Sequence, residues 1–440
     1  MFCKTITLLF LLLGSIFSKA QSIKAFFNHP VNLTASSFTD GVYSPNLEDT
    51  IVSLINKANE TIDIAVWDNG STKIVNALNN ALLRGCVVRY ITSSNSLNTA
   101  LSALNSNIPV LTRQASLNTN VMHNKFIVLD SKTVFTGSMN FGSGSMFDDF
   151  NNVIIIQDSI LAANYILEFN EMWGSTGSQP NSTLSKFGPN KTDNTQHQFV
   201  VSTIPVQLYF SPSDGTTSKI VDAINTADFT IDIAMFTFIN NDLGDAVVAA
   251  KQRGVQVRAI IENVNYIGSE YQKLLNNGIQ VLSHASLPYD FHHKYCIIDA
   301  FYQNSDPIVV TGSHNWTNSA EEDNDENTVI IHDFILANQF TEEFTQRYND
   351  ILGVASNSIM NEDIKIFPNP FCQIINITLP EPLNNVSIRL KTIEGKTVFE
   401  ASRKTIQNET LKVDHLPNSI YLLEIFSNEH IFNIKMVKNR

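Results

Sequence analysis

The chain has 440 residues, of which 43% are hydrophobic and 16% charged, with a net charge of −13. At about 150 residues per domain that length holds two or three units, and the composition builds packed cores and excludes extensive disorder. The acid excess counts against a surface wrapped by nucleic acid, which calls for basic faces that exchange counterions with phosphates, although it leaves room for a local basic pocket.

The chain opens with Lys4, an apolar run from Ile6 to Phe17 and small residues up to Ala20, the pattern of a secretory signal over residues 1–20 cut after Ala20. That run is shorter than the roughly 20 residues that cross a bilayer, and no other stretch reaches such a length. Cys3 leaves with the signal. Cys86, Cys296 and Cys372 are scattered among apolar neighbours, which predicts small buried hydrophobes and neither a disulfide framework nor a zinc site.

A helix is predicted over 51–59, a strand from Thr61 to Trp67, and a second helix from Thr72 to Arg84. The second helix gathers Ile74, Val75, Leu78, Ala81 and Leu82 on one face and stops at Gly85; a strand follows from Val87. The same order then returns. IVSLINKANETIDIAVW from Ile51 reappears as IVDAINTADFTIDIAMF from Ile220, and the offset of 169 residues also relates Arg84-Gly85 to Arg253-Gly254, Arg89 to Arg258 and His123 to His292. Strands alternating with helices predict an α/β sheet covered on both faces. Two halves, 21–172 and 205–352, are therefore expected, joined by a Gly/Ser/Asn/Pro-rich linker at 173–204 and followed by a break at 353–362.

Each half carries one polar set in an apolar run. The first is His123, Lys125, Asp130, Gly137, Ser138 and Asn140; the second is His292, Lys294, Asp299, Gly312, Ser313 and Asn315, with a longer turn after Asp299. Residues two apart on a strand share a face, so each histidine stands with its lysine. Asp130 and Asp299 close the strands, where a carboxylate orients or pairs with neighbours. The Gly-Ser pairs are expected to bring backbone N–H groups close to an anion, with Ser138, Asn140, Ser313 and Asn315 as substrate contacts. The set suits a phosphodiester: cations and amides neutralise the non-bridging oxygens, one imidazole attacks phosphorus and another protonates the departing alkoxide. One half lacks the second histidine, and two facing halves supply it. A metal site on His292-His293 is disfavoured, because adjacent strand residues face opposite ways and the lysine repels a cation.

These paired motifs resemble those of the phospholipase D superfamily over roughly residues 23–350. The resemblance implies a duplicated sandwich of mixed sheet and helices about a pseudo-twofold axis, a phosphohistidine intermediate, no required metal or cofactor, and catalysis by His123, Lys125, Asp130, His292, Lys294 and Asp299. Family analogy makes His123 the nucleophile and His292 the general acid. Asn152 and Asn327, each fifteen residues after its glycine, fit the same pattern. Departures are Phe141-Gly142 against Trp316-Thr317, and Asn151 against Glu326. The expected activity is hydrolysis or transfer at phospholipid headgroups by a peripheral, monomeric enzyme, with a metal-independent nuclease as the alternative. An inactive binding protein is disfavoured because all six residues survive in both copies. A cardiolipin-synthase-like role is disfavoured by the lack of membrane helices, and the tyrosyl-DNA phosphodiesterase branch by the presence of both motif aspartates.

The acidic run from Glu321 to Glu326 reads as a solvated face, or as a rim that repels polyanions and welcomes cationic headgroups, with Trp316 either core or an aromatic wall. Beyond Ile364, alternating apolar residues broken by Pro and Asn predict a small antiparallel β-sandwich over 363–440. Through Phe367 to Pro370, the Glu394-Gly395-Lys396 turn, Leu416 to Leu423, and Lys435 and Lys438, it resembles the sorting domain read by the type IX secretion machinery. Together with the signal, this implies export across two membranes, then release or attachment at the cell surface.

Overall fold

The computed structural model describes residues 22–115, 120–352, 364–392, 397–426 and 431–439. The predicted signal, the break at 353–362 and the Glu394-Gly395-Lys396 turn lie outside the described residues. The first half runs β1 (Ile23–Phe27), α1 (Leu47–Lys57), β2 (Thr61–Val66), α2 (Thr72–Leu83), β3 (Val87–Ser93), β4 (Val110–Arg113), β5 (Lys125–Leu129), β6 (Thr133–Gly137), β7 (Asn152–Gln157) and α3 (Ser159–Trp173). The second runs β8 (Gln198–Val201), β9 (Ile204–Ser211), α4 (Thr216–Asn225), β10 (Thr230–Met235), α5 (Asn241–Gln252), β11 (Gln256–Ile261), α6 (Tyr271–Asn276), β12 (Gln280–Ser283), β13 (Lys294–Ile298), β14 (Ile308–Gly312), α7 (Asn318–Glu322), β15 (Glu326–His332) and α8 (Phe334–Leu352).

Each half forms one mixed sheet, in the orders β1-β7-β6-β5-β2-β3-β4 and β12-β11-β10-β13-β14-β15-β9-β8. β2, β3 and β4 are parallel, as are β10, β11 and β12, because a helix or a turn of helix returns the chain between them; the rest pair antiparallel. Residues 198–201, predicted as linker, instead form β8 at the edge of the second sheet.

Strand alternation sets the layers. On β5, Phe126 and Val128 face inward while Ile127 and Leu129 face outward; on β13, Tyr295 and Ile297 face inward while Cys296 and Ile298 face outward. The outward residues pack under α1 and α2 in one half and under α4 and α5 in the other. The inward residues share a single core between the sheets, filled by Tyr165, Phe169 and Trp173 of α3 and by Phe340 and Phe344 of α8. Burying both faces explains the near-continuous apolar strands. The repeated arginines serve this core. Arg89 forms a fork with Asp63 at 2.6 and 2.8 Å beneath Phe169, and Arg258 does the same with Asp232 at 2.7 and 2.7 Å beneath Phe344. Among the cysteines, Cys86 and Cys296 are buried as expected, whereas Cys372 is exposed.

The tail is a separate antiparallel unit with its own core around Phe371, Ile375, Ile388, Leu390, Tyr421 and Leu423. It comprises β16 (Lys365–Phe367), β17 (Ile374–Thr392), β18 (Thr397–Lys412), β19 (Ile420–Phe426) and β20 (Ile431–Val437), with β17 pairing β16, β18 and β19. Lys438 is built into it, donating to the carbonyls of Val413 (2.7 Å) and Asp414 (3.0 Å).

Candidate active site

Strand direction brings both motifs to one edge of each sheet. β5 runs antiparallel to β2 with Lys125 opposite Val66, so His123 sits where the parallel strands end; Lys294 opposite Met235 places His292 likewise. The halves are stitched together at this edge. His123 N–H donates to the Asp325 carbonyl and Asp325 N–H to the Val121 carbonyl, both at 3.0 Å. Asn152 donates to Thr311 Oγ1 at 2.8 Å, while Asn327 accepts from Thr136 Oγ1 at 2.6 Å and donates to Asn124 Oδ1 at 2.9 Å. Asn152 and Asn327 are therefore bolts across the pseudo-twofold seam.

The histidines exchange partners across that seam. His123 Nδ1 lies 2.8 and 2.9 Å from the two carboxylate oxygens of Glu326, in the second half. His292 Nδ1 lies 3.0 Å from Asn151 Oδ1, in the first. Asn151 cannot turn around, since its amide nitrogen donates to the Ser145 carbonyl at 2.8 Å and its oxygen accepts from Ser138 Oγ at 2.7 Å. Both histidines are thus set as Nδ1–H donors, which leaves the Nε2 lone pairs for chemistry. Trp67 and Phe236 occupy equivalent places beside them, with ring centroids 6.0 Å from His123 and 4.8 Å from His292.

Lys125 and Lys294 are buried and donate to the carbonyls of their own histidines, at 2.7 and 2.9 Å. Burial brings Lys125 down to about 7, against the pull of Glu326 and Asp68. Burial likewise lowers Lys294, with Lys125 adding to the effect. Burial pushes Glu326 up to about 7 against Lys125 and His314. His123 is held well below its ordinary range by burial, then by Lys125, Lys294 and His314; His292 is held there by burial, then by Lys294, Lys125 and His123. Cations of both halves act on both histidines, so the free site holds neutral imidazoles and welcomes an anion.

Several predicted site residues fall elsewhere. Asp130 and Asp299 close the opposite ends of β5 and β13, both in left-handed backbone at φ 50°. Asp130 accepts from the backbone N–H groups of Asn59, Glu60 and Thr61, and Asp299 from those of Asp228, Phe229 and Thr230. They anchor the starts of β2 and β10, where the neighbouring strands leave unpaired donors, and do not meet the histidines. Ser138 and Ser313 are fully buried behind the site. Ser138 braces Asn151, while Ser313 bonds Glu326 and accepts from Asn327 N–H at 3.0 Å. Their own N–H groups already donate to Asn152 and Asn327 carbonyls at 3.0 Å, so the Gly-Ser pairs do not form an anion nest. The glycines answer to crowding: at φ +149°, a Cβ on Gly137 would lie 2.2 Å from the Asn152 carbonyl, and one on Gly312 2.1 Å from that of Asn327.

Asn140 and Asn315 do have side chains available to a ligand: the amide oxygen of each is buried without a partner, and the amide nitrogen is the end that can donate to an anion. The acidic run is a solvated rim only in its first half: Glu322 is exposed and Glu321 and Asp323 half-buried, whereas Asn324, Asp325 and Glu326 are buried. Glu326 orients His123; Asp325 is fully buried and takes Arg113 at 2.6 Å and Gly188 N–H at 2.8 Å; Glu321 accepts from Thr217 N–H at 2.8 Å. Trp316 is core, edge-on to Phe238 at 4.7 Å. Asn151 and Glu326 were visible in sequence only as a departure; the signal that would have found them is their shared offset of fourteen residues from Gly137 and Gly312. His293 faces away from the site, toward Glu343 at 3.0 Å. Among the described residues, one group with metal-ligand chemistry is Asp193, His197 and Asp214, which includes neither His123 nor His292; there His197 is already engaged by the Leu208 carbonyl and Asp193.

Comparison with known proteins agrees with this geometry. A family model described as "Cardiolipin synthase, PLD-like domain" matches residues 51–173 and again 220–348, the two halves found here. The chain belongs to the phospholipase D-like family. A family member from Salmonella typhimurium, Nuc, is 32% identical over 33% of this chain and 95% of its own, with a TM-score of 0.30. Phosphatidylserine synthase from Haemophilus influenzae Rd KW20 covers 74% of this chain and 86% of its own at 13% identity and a TM-score of 0.50, a likeness of fold. Mitochondrial cardiolipin hydrolase of Mus musculus is 34% identical over 141 residues, 31% of this chain. The chain spans about 60% of the length of that curated relative. Residues 365–439 match a secretion system C-terminal sorting domain, which marks this phospholipase D-like protein for type IX export to the cell surface or beyond. No helix among the described residues is long and apolar enough to cross a membrane.

Proposed function

We propose that the protein is an exported phosphodiesterase of phospholipase D type that hydrolyses phospholipid headgroup diesters. The exchange of histidine partners across the pseudo-twofold carries this reading. Nε2 of His123 attacks phosphorus and the bond to the departing alkoxide breaks. Attack places positive charge on the ring, and the Nδ1–H to Glu326 carboxylate bond offsets it. His292 delivers a proton from Nε2 to the alkoxide; its Nδ1–H partner is the neutral Asn151 amide, which fixes the tautomer without stabilising the cation, and so keeps it a willing acid. The substrate's negative charge raises the proton affinity of the site, so that on binding His292 Nε2 and the two lysines take up protons from solvent; Lys125 and Lys294 then neutralise the non-bridging oxygens together with the amide N–H groups of Asn140 and Asn315. Water, giving its proton to His292, attacks the phosphohistidine from the opposite side; phosphatidate leaves and His123 is regenerated. Lipid is favoured over nucleic acid by the net charge of −13. Both histidines lie on one chain, so a monomer completes the site.

The test is turnover of phosphatidylcholine vesicles and of single- and double-stranded DNA in EDTA, beside His123→Ala and His292→Ala. Choline release abolished by both variants is the expected result. DNA cleavage with the same dependence, and no choline release, would replace this reading with a nuclease.

A further inference from the structure

The loops that leave the catalytic edge carry exposed apolar tips at equivalent places in the two halves. The loop after β3 is tied to the site by Asn95, which accepts from Trp67 Nε1 at 2.9 Å, and by Ser96, which bonds Asp68; its tip is Leu97, 88% exposed. The loop after β11 is tied by Asn263, whose N–H donates to the Phe236 carbonyl at 2.9 Å and whose amide donates to Thr237 Oγ1 at 2.8 Å; its tip is Tyr266-Ile267, with Ile267 99% exposed. Trp67 and Phe236 are the rings beside His123 and His292, so the two tips flank the mouth of the site. Phe147, Leu287 and Tyr289, from loops on the same edge, are exposed as well. Single exposed apolar residues are ordinary, but four loops at one edge that each expose a large apolar side chain are the mark of an interaction surface.

Charge says what the surface meets. Residues 67–71, 94–109, 138–151, 236–240, 262–270, 284–293 and 313–325, all at this edge, hold ten carboxylates and no lysine or arginine; Glu262, Glu270 and Asp325 among them are buried and paired, which leaves seven that reach solvent. Lys125 and Lys294 lie buried beneath them. Such a rim repels nucleic acid and anionic lipid alike, and is compatible with headgroups whose outermost charge is positive.

We propose that Leu97 and Ile267 lead a collar that docks the mouth of the site onto a lipid surface of zwitterionic headgroups, by inserting apolar side chains rather than by pairing charges. This rests on the lipid reading above and extends it to how substrate is reached. Tyrosines at the collar suit the interface, where one end is apolar and the other wet. The loops are braced before docking, so little chain entropy is lost on contact.

The test uses the full chain and Leu97→Asp/Ile267→Asp, neither position belonging to the catalytic set. Co-sedimentation with phosphatidylcholine vesicles is measured alongside vesicles containing phosphatidylglycerol, and turnover of soluble bis(p-nitrophenyl) phosphate is followed in parallel. The double variant is expected to lose about tenfold or more in vesicle affinity, in line with removing two large aliphatic side chains from the interface, and to keep soluble-diester turnover. Binding by the parent chain should be insensitive to salt and weaker on anionic vesicles. Vesicle binding unchanged by the substitutions would overturn the proposal, as would binding that needs anionic lipid and vanishes in salt, or a collar that instead mediates dimers or retains single-stranded DNA. Collar-dependent vesicle binding without lipid cleavage would sink the hydrolase reading and leave docking standing. Lipid cleavage with collar-independent binding would do the reverse.

Discussion

Replacing Glu326 with Gln isolates the asymmetry between the two histidines. The substitution keeps the shape and one acceptor oxygen for His123 Nδ1–H, now 2.8 Å from a full carboxylate, and removes only the charge. When Nε2 attacks phosphorus the ring becomes cationic against a fully buried partner. A charge-assisted bond exceeds a neutral one by about 1–2 kcal/mol, and unit charges about 4 Å apart at an effective dielectric of 20 attract by roughly 4 kcal/mol. The variant should therefore lose about 2–4 kcal/mol of transition-state stabilisation, or roughly thirty- to a thousand-fold in the rate of phosphoenzyme formation. Stability should not fall with it, because burial already pushes the Glu326 carboxyl toward neutrality and a glutamine is easier to bury. Rapid-quench measurement of the covalent intermediate, beside thermal unfolding of both proteins, checks this. A loss below about threefold, or a rate loss that tracks a fall in Tm, would refute the reasoning.

The pH profile of kcat/KM should be a narrow bell around neutrality. The acid limb arises as Glu326, raised to about 7, takes a proton and ceases to hold His123 as an Nδ1–H donor; the alkaline limb arises as Lys125, lowered to about 7, loses its charge. Glu326→Gln should flatten the acid limb and leave the alkaline one, and a titration of initial rates would show it. Asp130→Ala should cost about 1–3 kcal/mol in urea unfolding, from lost charge-assisted backbone bonds, with kcat/KM nearly unchanged because the carboxylate does not reach His123. Arg89→Met should destabilise by about 3–5 kcal/mol, since it strands Asp63 as an unpaired buried charge; restoration by Asp63→Leu in the same background would confirm the cause.

The duplication made the fold legible in sequence. One offset related helices, strands and the Arg89/Arg258 pair, and strand periodicity placed each histidine on one face with its lysine. What sequence did not yield is which polar residues of the motif face the substrate. Asp130 and Asp299 sit in the motif because the first turns of β2 and β10 need an acceptor for three N–H groups, a long-range need that no local pattern announces. Gly137 and Gly312 are required by a neighbouring carbonyl rather than by a phosphate, and Ser138 and Ser313 follow them to brace the histidine partners. The run from Glu321 to Glu326 looked solvated because six polar residues in a row usually are. Here the chain crosses the seam between halves, where Asp325 meets Arg113 and Glu326 meets His123. The interface between the two copies decides these roles, and it belongs to neither copy's local sequence.

In the proposed mechanism two half-sites make one centre, with His123, backed by Glu326, as the nucleophile and His292, backed by Asn151, as the acid. This arrangement is tested most directly by quenching the enzyme in base during turnover, keeping it alkaline throughout because the histidine N–P bond is labile in acid, and mapping the phosphorylated peptide by mass spectrometry. Phosphoryl adduct is expected on the peptide containing His123, and that adduct should accumulate in a variant whose acid–base histidine is replaced, His292→Asn, when the substrate carries a good leaving group. Adduct on His292 in the parent chain, or none on either histidine while turnover proceeds, would contradict it.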